Sequence, residues 1–221
     1  LDRSSAASDV YKRQVYEGMM TEKEILDQLG QDPDIRAILE IIRSLELKDS
    51  WLAAGCVRNF IWNMLSERPG FDSDTDVDVI FFDPSYAEAE TVDLEGKLKA
   101  DWPQYRWELR NQAYMHRHSP GTAPYKNACE AMSKYPERCT TIGLRLLAND
   151  KLELFAPYGL KDILNFQVRP TPHFLENKER QRVYAERLAK KNWQKRWPHL
   201  EYHYPDTVSY THLTLPTRDL V

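Results

Sequence analysis

Apolar residues recur along this chain with two periods, one helical and one alternating, and their boundaries carry recognisable caps and turns. Thr21 and Glu24 form a capping box ahead of Ile25, Leu26 and Leu29, with Gly30 placed to stop that helix. Asp32 and Pro33 cap and open a second helix, in which Ile35, Ile38, Leu39, Ile42 and Leu45 repeat at helical spacing and make a core-facing stripe. The apolar run Trp51 to Ala54 stops at Gly55, and Val57, Phe60, Ile61, Met64 and Leu65 then return to the i, i+3, i+4 pattern until Pro69-Gly70. This segment predicts a strand, a tight turn and a helix.

The stretch FDSDTDVDVIFFD alternates and then becomes continuously apolar from Val77 to Phe82, which predicts a strand that starts polar and ends buried. Ser85 with Glu88 caps a helix running to about Asp101, although its apolar face is thin. From Tyr105 to Tyr114 the pattern is again a strand, with Trp107 and Leu109 on one side and Glu108 and Arg110 on the other. Tyr125, Ala128, Cys129 and Met132 suit a helix closed by Pro136. Thr140 to Leu147 and Lys151 to Phe155 flank the turn pair Asn149-Asp150 and read as a hairpin. Leu160 to Asn165 gives a short helical turn, and Glu176 to Arg196 a longer C-terminal helix. No repeat and no linker rich in Gly, Ser or Pro divides the chain. The expected architecture is α/β (α+β), a mixed sheet flanked by helices within one domain over residues 15–207.

The two ends do not join these patterns. LDRSSAASDVYKRQ (1–14) and VSYTHLTLPTRDLV (208–221) resemble translated sequencing-adapter sequence and are set aside as appendages. Setting them aside leaves an acidic chain, as the whole is, with 34 acids against 30 bases and a net charge of -4. That balance excludes a protein that coats nucleic acid by bulk charge alone. Apolar residues at 42% and charged residues at 29% exclude disorder and fibrous classes. No stretch has the roughly 18–20 apolar residues of a membrane helix, and no signal peptide opens the chain, so it reads as soluble and cytoplasmic. Cys56, Cys129 and Cys139 are too few and too widely spaced for a disulfide framework or a CxxC site, and each reads as a small buried hydrophobe.

Asp76 and Asp78 are the sharpest chemical feature. One residue apart on a strand, they share a face while Val77 and Val79 point to the core, and two such carboxylates repel unless a divalent cation lies between them. Mg²⁺ (or Mn²⁺), held by carboxylates together with substrate phosphates, suits that pair. Gly55 opens a helix with Arg58 in its first turn, an arrangement that aims backbone N–H groups, the helix dipole and a guanidinium at an anion. Each signal has a plain structural reading as well, a solvated acidic turn or a strand-ending glycine.

The run A-G-C-V-R-N from Ala54 to Asn59, the helix after it, the Pro-Gly loop and D-V-D-V-I-F-F together resemble the core of the polymerase-β-like nucleotidyltransferase superfamily, tRNA CCA-adding enzymes included. W-E-L-R-N-Q-A-Y-M-H from Trp107 to His116 and F-A-P-Y-G-L-K-D from Phe155 to Asp162 look like a bacterial nucleotidyltransferase-like family within it. The resemblance covers roughly Asp49 to Pro198. The turn departs from the superfamily pattern, Ala54-Gly55-Cys56 standing where Gly-Gly or Gly-Ser is usual.

The resemblance implies transfer of an NMP from an NTP to a hydroxyl acceptor, with a third carboxylate beside the DxD strand. Glu108 is the first choice for it and Glu153 the second. Asp76, Asp78 and Glu108 would then be catalytic residues and metal ligands, Gly55 and Arg58 would hold the triphosphate, and Asn111 with Gln112 would contact base or sugar. His116 and His118 share a face but lack a convincing third ligand. The C-terminal helix carries eight basic residues between Lys178 and Arg196 against Glu176, Glu179 and Glu186, and with Trp193 and Trp197 offers a grip for an RNA acceptor. Two other readings compete: a fold that has lost catalysis and serves as a binding module, and a nucleotide-sugar glycosyltransferase. The glycosyltransferase reading is the weaker, because there the DxD ends an apolar strand and here it begins one.

Overall fold

The computed structural model describes residues 20–205; the two end segments set aside above lie outside them. Helix α1 (Glu22–Gln31) has the capping box of Thr21 and Glu24 in both directions. It passes through Gly30 and ends one residue later, because Asp32 takes over as the cap of α2 (Pro33–Ser44), its carboxylate accepting from the N–H groups of Asp34 and Ile35. Ile25 and Leu29 of α1 and Ile35, Ile38, Leu39 and Ile42 of α2 are buried, as the periodicity predicts.

Strand β1 (Trp51–Ala53) leads directly into α3 (Gly55–Leu65), and β2 (Asp76–Phe81) runs antiparallel to β1. Helix α4 (Glu88–Asp101) crosses over to β3 (Arg106–Asn111), which lies parallel to β2. The cap of α4 differs from expectation. Ser85 bonds Asp83 instead, and Glu90 reaches back to the Ala87 N–H to start the helix at Glu88. Strand β3 also stops earlier than the alternation suggests, since the side chain of Asn111 accepts from the Ala113 N–H and opens the short helix α5 (Gln112–Met115).

Helix α6 (Ala128–Ser133) precedes the hairpin of β4 (Gly143–Leu146) and β5 (Leu152–Phe155). The five strands form one sheet in the order β3-β2-β1-β4-β5. Then come α7 (Lys161–Leu164), β6 (Gln167–Val168), α8 (Pro172–Leu175), α9 (Lys178–Lys191) and β7 (Glu201–Tyr202), with β6 and β7 pairing in a small parallel sheet. The expected single helix over 176–196 is shorter, because Asn192 adopts a left-handed conformation (φ 44°) and ends α9. No helix among the described residues is long and apolar enough to cross a membrane.

The two faces of the sheet have different fates. Leu52, Val77, Val79, Phe81, Trp107, Leu109 and Leu144 point to one side and join the helices in a core that extends from Ile25 to Leu200. On the other side Trp51, Ala53 and Ile80 pack against Ala128 and Met132 of α6. That approach is close: a Cβ on Gly143 would stand 2.8 Å from the Met132 sulfur. Helix α6 leaves part of this face uncovered, and Asp76, Asp78 and Glu108 remain open to cavities.

Candidate functional site

The site begins with backbone geometry. Ala54, between β1 and α3, holds φ 52° and ψ -114°, a region favoured by glycine, and its N–H bonds the Ile142 carbonyl. The chain thereby turns sharply enough to begin α3 at Gly55, whose missing side chain leaves room beside two functional groups. A Cβ there would lie 3.5 Å from Asp78 Oδ2 and 3.8 Å from Arg58 Nη2.

Gly55, Arg58, Asp76 and Asp78 line one polar cavity of about 170 Å³. Arg58 is 4% exposed and makes no ion pair with any described carboxylate. Its Nη1 donates to Thr140 Oγ1 at 2.8 Å, its Nε and Nη2 donate to Asn59 Oδ1, and its guanidinium stacks over Trp193 (4.1 Å) and Trp62 (4.8 Å). Burial lowers its pKa against the opposing charges of groups that include Glu137 and Asp78, and two indole faces flank the cation. Thr75 Oγ1, also buried at this cavity, has no hydrogen-bond partner. A buried unpaired cation and an unsatisfied hydroxyl in one cavity are the marks of a site built for an anionic, hydrogen-bonding ligand.

Across the cavity stand the acids. Asp76 pairs with Arg106 at 3.0 Å, whereas no described side chain forms a hydrogen bond or ion pair with Asp78. The parallel register sets Asp78 directly beside Glu108, on the same face. Burial, then the charges of Glu108 and Asp76, push the pKa of Asp78 up to about 6. Glu108 has Arg110 at 3.5 Å. Among the described residues no three His, Cys, Asp or Glu side chains are grouped tightly enough to hold a metal by themselves. The donor chemistry nevertheless fits a hard divalent cation that takes one or two carboxylates and completes its shell with substrate phosphates, since Asp78 stands next to Asp76 with no hydrogen bond or ion pair of its own.

Glu108 does not line the polar cavity; it lines a second one of about 400 Å³. The two share Ala54, Asp78, Thr140 and Arg187 as a common wall. Glu153 lies on the same sheet face but three strands from β2, engaged by Arg145 at 2.5 Å. Asn111 is a correction: alternation puts it with Trp107 and Leu109 on the helix-covered face. It is 4% exposed, and its amide donates to the carbonyls of Asp83 and Tyr86. It holds the β2–α4 connection and lines neither cavity. Gln112 does line the larger cavity, as does His118, while His116 packs on Tyr125.

Part of the basic C-terminal segment turns inward, while Lys178, Arg182, Lys190 and Lys195 stay exposed. Arg187, Lys191 and Arg196 turn toward the polar cavity, with Lys191 among the charges that act on Asp78. Arg187 is anchored at 2.7 Å by Glu137, which is fully buried. Trp193 and Trp197 are buried against Trp62, so they cannot stack on bases. The sequence signal for Arg187, Lys191 and Arg196 was their basic run, which gives no hint of where they point; Thr140 carried no signal.

A family model described as Nucleotidyltransferase matches residues 40–202. An NMR structure described as revealing a CCA-adding enzyme head domain is 60% identical, with a TM-score of 0.80 over 84% of this chain and 97% of that one. The Bacillus stearothermophilus CCA-adding enzyme in complex with CTP is 13% identical, with a TM-score of 0.44 over 73% of this chain and 39% of that one. A tRNA nucleotidyltransferase complexed with a primer tRNA and an incoming ATP analog is 15% identical, with a TM-score of 0.41 over 70% of this chain and 45% of that one. The chain thus spans less than half the length of these last two. No curated protein matches it.

Proposed function

Because the chain belongs to the nucleotidyltransferase family, we propose that it transfers an NMP from an NTP to a hydroxyl acceptor and releases pyrophosphate, using Asp76, Asp78 and Glu108. The observation that carries this reading is the single polar cavity in which Gly55 and Arg58 face Asp76 and Asp78. One side of it is chemistry for phosphates and the other chemistry for a divalent cation.

The N-terminus of α3 presents its free N–H groups and positive dipole end to the phosphates, and Arg58 adds a fixed guanidinium. Since Asn59, Thr140 and the two indoles already hold that guanidinium, little freedom is lost when it binds. Lys191 adds charge at the rim, where Arg196 is paired with Asp72. Asp76 and Asp78 would hold Mg²⁺ or Mn²⁺, which when bound polarises the phosphate and neutralises the charge of the leaving pyrophosphate. Glu108 would accept the proton of the acceptor hydroxyl as its oxygen bonds to the α-phosphorus and the bond to the bridging oxygen breaks, with the electron pair departing on pyrophosphate. Arg106 and Arg110 keep the outer carboxylates positioned. Positioning and charge compensation account for the rate.

Thermal unfolding with ATP, GTP, CTP and UTP, each with and without Mg²⁺, tests the reading. A nucleotide at about 100 times its Kd stabilises the fold by roughly 2.7 kcal/mol. A Mg²⁺-dependent shift for the parent protein that Asp76→Asn and Asp78→Asn abolish is the expected result. No shift with any nucleotide at millimolar concentration would assign the fold to a non-catalytic binding module.

A further inference from the structure

We infer that the acceptor is a small, largely uncharged molecule with an apolar or aromatic body and a free hydroxyl, held in the larger cavity; this rests on the transferase reading above. In-line displacement at phosphorus puts the attacking and leaving oxygens on opposite sides. If pyrophosphate leaves into the polar cavity of Gly55 and Arg58, the nucleophile must arrive from the other side of the shared wall at Asp78, and the cavity there is the larger one. Glu108, the acid that would take the acceptor's proton, lines that cavity alone of the two.

The walls say what enters. Ile80, Tyr125, Tyr135, Phe174 and Val183 make them mainly apolar and aromatic, and Gln112 and His118 add hydrogen-bonding edges. A volume of about 400 Å³ suits a single small molecule. A polyanionic acceptor would need uncompensated cations on this wall. Its lysine and arginines are instead already matched: Arg110 with Glu95 at 2.9 Å, Lys134 with Glu130 at 2.9 Å and Arg187 with Glu137 at 2.7 Å. The step balances within this chemistry. The acceptor oxygen forms the new bond to the α-phosphorus, the bond to the bridging oxygen breaks with its electron pair on pyrophosphate, and the proton passes through Glu108 to water.

The test offers the full chain, with Mg²⁺ and α-labelled NTP, the low-molecular-mass filtrate of a bacterial lysate in one arm and total RNA in the other. Label is expected in a product of low mass. Met115 of α5 and Val183 of α9 both line the cavity, and Met115→Trp and Val183→Trp, which narrow it from these two walls, should raise the apparent KM for the filtrate about tenfold. Both should keep the Mg²⁺-dependent nucleotide shift in thermal unfolding, which also shows that they fold. Label in RNA alone, label in neither arm while the nucleotide shift persists, or labelling untouched in both folded variants would each overturn the small-molecule acceptor. Absence of the nucleotide shift in the parent protein would sink the transferase reading and this inference with it.

Discussion

Asp78→Asn should make the protein more stable at neutral pH while abolishing transfer. Burial and the neighbouring charges of Glu108 and Asp76 raise the Asp78 pKa from the ordinary 3.8 to about 6, so ionising it in the folded state costs free energy that the unfolded chain escapes. A displacement of that size corresponds to roughly 3 kcal/mol in a dry site, and water reaching this half-buried carboxylate reduces it to about 1–2 kcal/mol. Between about pH 4 and 6 the folded protein binds the extra proton, so stability falls as pH rises through that window and levels off above it. The asparagine lacks this slope. Denaturant unfolding of parent and variant across pH 4–8 should give curves that meet near pH 4 and separate by about 1–2 kcal/mol above pH 6, or roughly 2–8 °C in Tm for a chain of this size. Mg²⁺ should stabilise the parent alone and shrink the gap. A variant that is less stable than the parent at pH 7, or a gap that does not depend on pH, would refute the claim that Asp78 is held against its own electrostatics for function.

Three further outcomes can be checked with the same equipment. Ala54→Gly should stabilise the fold by about 0.5–1 kcal/mol in thermal unfolding, since relief of the positive-φ strain exceeds the added unfolded-state entropy. Gly55→Val places methyl groups between Asp78 and Arg58. It should weaken Mg²⁺-nucleotide binding by calorimetry at least about tenfold, roughly 1.4 kcal/mol, with little change in Tm. Glu137→Ala leaves Arg187 without its buried partner and should cost about 2–3 kcal/mol in urea unfolding, less than a fully buried pair because Arg187 is a third exposed.

Local chemistry settled much of this protein before any tertiary contact was known. The caps at Thr21 and Asp32, the stripe of Ile35, Ile38, Leu39 and Ile42, and the alternation around Asp76 and Asp78 act over a few residues, where capping, periodicity and side-chain direction are decided. The side of β3 on which Glu108 lies was legible for the same reason. Short-range signals compete at Asn111, which fits an alternating strand, yet its side chain caps α5 and ties down the Asp83–Tyr86 turn. Glu108 and Glu153 satisfy the same alternation, and only the strand order separates them, putting one beside Asp78 and the other at the far edge of the sheet.

The C-terminal segment shows the limit most sharply. A run of lysines and arginines with two tryptophans looks alike in sequence whether it faces solvent or folds inward. Left-handed Asn192 ends the helix and the packing of Trp193 and Trp197 on Trp62 makes the tryptophans walls behind Arg58, while Arg187, Lys191 and Arg196 border the cavity and Lys178, Arg182, Lys190 and Lys195 stay exposed. The sequence by itself determined which chemistry is present, two carboxylates on a strand and a glycine-opened helix with an arginine. Tertiary structure alone decided what faces what, because the meeting of Gly55, Asp78, Glu108 and Arg187 depends on strand order and long-range packing between residues far apart in the chain.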